Sequence, residues 1–102
     1  MIKSFAVESS SPADFIKKVT DSLAGRELGK IASMSLKENN IVIMFSKLGK
    51  SEVIFNVKNE GNGFSCTHSS EKIALTHKAL RGDIEGKLAK VLESNGAKVT
   101  ES

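Results

Sequence analysis

At 102 residues, with 39% hydrophobic and 26% charged side chains, the chain is long enough for one domain with a modest core, and its composition is not that of a disordered segment. A single cysteine, Cys66, excludes an internal disulfide and fits a reducing compartment. The net charge of +3 permits attraction to nucleic acid or anionic surfaces, but every basic residue except Arg26 and Arg81 is a lysine, and neither Trp nor Tyr is present to stack on bases.

The N-terminal MIKSFAVESS has no apolar signal region, and no run approaches the roughly 20 apolar residues of a membrane span, so a cytoplasmic location is expected. Ile2 to Val7 reads as a first strand, with Phe5 and Val7 on one side and Ile2 and Ala6 on the other. A helix follows, with Ser11 as cap, Pro12 in the first turn and Asp14 three residues after the cap. Phe15, Ile16, Val19 and Leu23 form its apolar stripe, and Gly25 stops it.

From Lys30 to Ser69 the period changes to two. Ile31 to Leu36 puts Ala32, Met34 and Leu36 on one face, and Glu38, Asn39 and Asn40 make a tight turn in which Asn supplies the positive φ. Ile41 to Phe45 is continuously apolar and is expected near the sheet centre. Glu52 to Val57 follows the SKLGKS turn, and after NEGNG a last strand turns Phe64, Cys66 and His68 inward and Ser65 and Thr67 outward. The final stretch, Glu71 to Asn95, reads as one long helix. Ile73, His77, Leu80, Ile84, Leu88 and Val91 fall on a single line, with Ser69 or Ser70 as cap, while Gly82 and Gly86 interrupt its middle.

The expected fold is α+β: strand, helix, four strands, helix, in a five-stranded, mainly antiparallel meander with both helices packed on one face. One domain covers residues 1–102, with Lys98 to Ser102 as a frayed tail. The uncovered face would collect Ser33, Ser35, Ser65 and Thr67 with Ile43 or Val42 and Ile54, a shallow groove or dimer surface.

Chemistry is sparsely represented. Cys66 and His68 leave one face of a strand, and His77 follows closely, yet their spacing matches none of the usual zinc patterns. The serines lack a nucleophile-elbow context, and the carboxylates fall on turns and outward helix faces. No catalytic, cofactor or metal residue is expected, and the protein reads as a non-enzymatic binding module. Its candidate partner-binding residues are His77, Lys78, Leu80, Arg81, Gly82 and Gly86, on the half of the last segment where glycines would admit another backbone. Lys47, Lys50, Lys87 and Lys90 form a candidate basic patch.

The run Ala79, Leu80, Arg81, Gly82, Ile84 and Glu85, small-Leu-basic-Gly-x-Ile-Glu, together with the layout of elements, resembles the polyhydroxyalkanoic acid granule system family. That resemblance implies a small bacterial protein associated with polyester storage granules. In order of elements alone the chain is also similar to ribosome-hibernation factors. Two expectations follow: an adaptor that recognises an apolar surface, a lipid-like ligand, a protein partner or a second copy, and, as the alternative, a basic RNA- or ribosome-binding stress factor.

Overall fold

The computed structural model describes residues 1–101. They form β1 (Ile2–Val7), α1 (Pro12–Leu23), β2 (Ala32–Lys37), β3 (Asn40–Ser46), β4 (Lys50–Glu60), β5 (Gly63–Lys72), α2 (Arg81–Ser94) and β6 (Ala97–Glu101), with short 3-10 turns at Leu28–Lys30 and Leu75–His77. The strands make one open sheet in the order β2-β3-β4-β5-β1-β6, each neighbouring pair antiparallel. The class is α+β as expected; β2 to β5 form a meander of four strands, while β1, expected to be part of it, pairs with β5 and β6 instead.

Local chemistry accounts for α1. The Ser11 hydroxyl accepts the Asp14 amide at 3.2 Å, Pro12 occupies the first turn, and Phe15, Val19 and Leu23 are buried at helical spacing. Gly25, at φ +81°, then turns the chain away. The 3-10 turn that follows lies so close to the end of α1 that a Cβ on Gly29 would stand 2.1 Å from the Leu23 carbonyl oxygen, which makes glycine obligatory there.

Both helices cover the same sheet face. Phe5, Phe15, Phe55 and Phe64 meet in ring pairs whose centroids lie 5.4, 5.7 and 6.1 Å apart, and Ile84, Leu88, Val91 and Leu92 of α2 close the same core. The opposite face carries Ser33, Ser35, Ser65 and Thr67 with Val42 and Ile54, as the alternation requires, and Ile43 points into the core.

Five expectations are corrected. The sheet has six strands rather than five, because the polar tail read as frayed pairs with β1, Ala97 opposite Val7 and Val99 opposite Phe5. Ser102, the last residue of that tail, lies outside the described residues. The last helix begins at Arg81, not Glu71, since β5 continues through Glu71 and Lys72, which pair with Val53 and Glu52. Ser69 and Ser70 are therefore strand residues, and no side chain caps α2. In the β2–β3 turn Glu38, not an asparagine, takes the positive φ of 53°, while the Asn39 side-chain Nδ2 donates to the Val57 carbonyl at 2.9 Å. A register shift at Ile2/Ser4 also brings Ile2 to full burial beside Phe5.

Candidate functional site

His77, Lys47, Lys50 and Lys78, four of the residues singled out in the sequence, gather around one corner of the sheet, where the β3–β4 tip meets the segment between β5 and α2. His77 is fully buried there. Its Nε2 faces the Lys47 carbonyl and its Nδ1 lies 2.5 Å from Ser51 Oγ, which also accepts the Ala74 amide at 2.8 Å. A carbonyl can only accept, so Nε2 carries a proton; Ser51 then donates to Nδ1 and accepts from Ala74, and every polar atom of the group is satisfied. Ser51 and His77 are both wholly enclosed, and this Ser–His pair ties the start of β4 to the 73–80 segment.

Thr76 Oγ1 adds a bond of 2.9 Å to the Leu48 carbonyl. With the Lys47 and Leu48 carbonyls both engaged, Leu48 is held at φ +56°, a left-handed conformation that costs a branched residue about 1–2 kcal/mol. Its side chain is 84% exposed, and Leu75 on the facing loop is 82% exposed. Lys47, Lys50 and Lys78 stand exposed on the same two loops, and none of them enters an ion pair among the described residues. The corner thus presents two leucines among free ammonium groups, in a fixed geometry.

Arg81 serves the fold at the other end of this segment. Its guanidinium donates to both Glu71 oxygens at 2.5 Å and to Glu85, which is buried at the start of β1, where it accepts the Ile2 amide at 2.9 Å. His68 Nε2 lies 2.7 Å from Glu71. The Arg81 hydrogen bonds hold the Glu71 carboxyl at about 2, against an ordinary value of 4.5, with burial opposing and His68 assisting. The same partners raise the Arg81 guanidinium further above its ordinary value. Arg81 therefore joins β5, α2 and β1 and is committed inside the molecule.

Of the remaining candidates, Leu80 is 42% exposed, and Cβ atoms added to Gly82 and Gly86 would stand in open space, with nothing among the described residues within 4 Å outside the helix's own adjacent backbone. Leu80, Ile84 and Lys87 line one wall of a depression of about 590 Å³, with Leu28, Lys30 and Ile31 on the other wall and Lys47 at one end. A second depression of about 470 Å³ shares Glu27, Leu28 and Lys87 with it and continues past Arg26, Val91 and Lys90. The structure thus brings Lys47, Leu80, Lys87 and Lys90 to one groove, while Lys50 and Lys78 stay at the corner.

Cys66, His68 and His77 have separate surroundings. Burial pushes the Cys66 thiol up to about 12, His68 pairs with Glu71 and His77 with Ser51, and no group of three or more His, Cys, Asp or Glu among the described residues could hold a metal ion. Leu48 and Leu75 were not among the sequence candidates. The one trace of Leu48 is a large apolar residue between lysine and glycine in a turn, outside any periodic pattern.

Compared with known proteins, the chain matches no family model, and no curated protein or solved structure shows significant similarity to it.

Proposed function

We propose that this protein is a non-enzymatic adaptor, acting in the cytoplasm, that docks reversibly on an apolar surface carrying negative charge, such as an anionic lipid layer, through the corner formed by the β3–β4 tip and the 73–80 segment. The observation that carries the reading is the pair Leu48 and Leu75, each more than four-fifths exposed, on loops locked together by the buried His77. Rigid loops offer their leucines without an ordering cost at the moment of contact. Burying each leucine contributes about 1.5–3 kcal/mol, and each lysine beside an anionic lipid surface about 1 kcal/mol.

No helix among the described residues is long and apolar enough to cross a membrane, so contact through this corner would be peripheral. The resemblance of Ala79 to Glu85 to the granule family points toward a coated apolar body as one such surface.

Co-sedimentation with phosphatidylcholine vesicles, with and without phosphatidylglycerol, tests the proposal. Binding is expected only when the anionic lipid is present, weakening as salt rises. Leu48→Asn combined with Leu75→Ser should abolish it while leaving the fold intact, because Asn tolerates the left-handed backbone. Equal binding by that double variant would end the proposal. Tight binding to a short single-stranded RNA at low salt, without vesicle binding, would replace it with the nucleic-acid reading.

A further inference from the structure

The groove along α2 is a separate feature from the exposed leucines of the corner, and its charge pattern is specific. Its floor is apolar, made by Leu28 and Ile31 on one side and Leu80 and Ile84 on the other. Its two acids are already neutralised: Glu27 by Lys30 at 3.2 Å and Asp83 by Lys87 at 3.1 Å. Three cations remain without an acidic partner among the described residues, Lys47 at one end and Arg26 and Lys90 at the other. Leu80 and Lys90 are ten residues apart, about 15 Å along the helix axis at 1.5 Å per residue; Lys47 lines the half of the groove that holds Leu80, and Arg26 and Lys90 line the half that continues past Val91.

We infer that this groove binds an acidic amphipathic helix of a protein partner, whose apolar face lies on Leu80 and Ile31 and whose carboxylates, about three turns apart, meet Lys47 at one end and Arg26 and Lys90 at the other. Charge at both ends decides between occupants. A fatty acid has one charged head and would leave the far cations unpaired. An extended strand needs a free backbone edge to pair with, and the walls here are a helix and a 3-10 turn whose backbone groups are largely used internally. A nucleic-acid strand carries charge along its whole length and gains nothing from an apolar floor. The inference shares Lys47 and Leu80 with the corner proposed for surface docking, and Arg26 and Lys90, which lie on neither of its loops, separate the two in the test. Together they would make the protein a two-sided adaptor.

The test uses the whole chain and a set of fluorescein-labelled designed peptides measured by anisotropy. Each peptide is an amphipathic helix with a leucine face; two have identical composition, with the glutamates spaced ten residues apart in one and four apart in the other, and in a third lysine replaces glutamate. The wide-spaced acidic peptide is expected to bind about tenfold more tightly than its isomer, with no binding of the lysine form. Arg26→Glu with Lys90→Glu, both at exposed positions, should weaken it by tenfold or more, whereas Leu48→Asn with Leu75→Ser should leave it unchanged. The idea is overturned if no acidic peptide binds, if glutamate spacing makes no difference, if the charge reversals have no effect, or if a fatty acid or short RNA occupies the groove in preference to the peptide.

Discussion

Two polar clusters hold the segment between β5 and α2, and they work by opposite means. The Ser51–His77 cluster is uncharged in its bonding logic, fully enclosed, and ties backbone to backbone through one ring. The Glu71–Arg81–Glu85 cluster is ionic, reaches from a half-buried carboxylate to a fully buried one, and ties three elements of the sheet and helix together. The first shapes a surface and the second anchors a helix that has no side-chain cap of its own. Their difference predicts that damage to one should spoil binding with the fold intact, and damage to the other should spoil the fold.

The largest effect is expected at Arg81. Arg81→Ala leaves Glu85 buried with its charge uncompensated, a situation that costs about 3–5 kcal/mol. Urea denaturation measures it, and adding Glu85→Gln to the same chain should restore part of the loss, because a neutral amide can still accept the Ile2 amide. If the single variant is as stable as the parent, the ionic cluster is not an anchor and the comparison fails on that side.

His77→Ala comes next. It removes a ring that fills the corner and leaves the Ser51 hydroxyl and Lys47 carbonyl without their partner, at about 2–4 kcal/mol. The diagnostic reading is local. Amide exchange at Ala74 should accelerate and vesicle binding should fall, while exchange in β3 and β5 stays closer to that of the parent. Uniform acceleration through the whole sheet would show that this cluster supports the fold and not the surface.

Much of the fold is legible because its elements obey local rules that tertiary contacts do not override: the Ser11 cap, the period of two from β2 to β5, and the inward set Phe64, Cys66 and His68. The last segment misleads for a physical reason. Ile73 and His77 lie at helical spacing and are drawn toward the interior, but they reach it from a strand end and a 3-10 turn, so their burial mimics a helix stripe, and Leu80 on the same line stays exposed. β6 stays hidden because AKVTE offers only Ala97 and Val99 to a core already built, and an edge strand needs little more. The inward direction of His77 could be read from its place on the apolar line. The exposure of Leu48 and Leu75 could not, since only the pairing of two loops distant in sequence decides that neither is covered.

Acid should separate the clusters further. Arg81 holds the Glu71 carboxyl at about 2 in the folded chain, below its ordinary 4.5. A depressed folded-state value stabilises fully above the unfolded value, so this contribution is complete above about pH 4.5 and is lost as pH falls toward about 2. The urea midpoint of the parent should drop across that window, and Glu71→Gln should flatten part of the drop. An unchanged slope in that variant would remove Glu71 from the account.

The smallest effect concerns the glycines of α2, and it bears on which side of the comparison α2 belongs to. Gly86 lies inside the helix, and a Cβ there meets nothing within 4 Å, so Gly86→Ala should gain about 0.5–1 kcal/mol from the restricted unfolded chain alone. Gly82 stands in the first turn, where the amides have no helical partner to lose, and its gain should be smaller. Both methyl groups would project into open space, and neither glycine lines the groove. If the double variant is more stable and still binds the wide-spaced acidic peptide, the glycines are tolerated defects in a helix whose place is set by Arg81. If stability rises while peptide affinity falls, the open space over Gly82 and Gly86 is where the partner's backbone comes close, and α2 serves binding as much as the corner does.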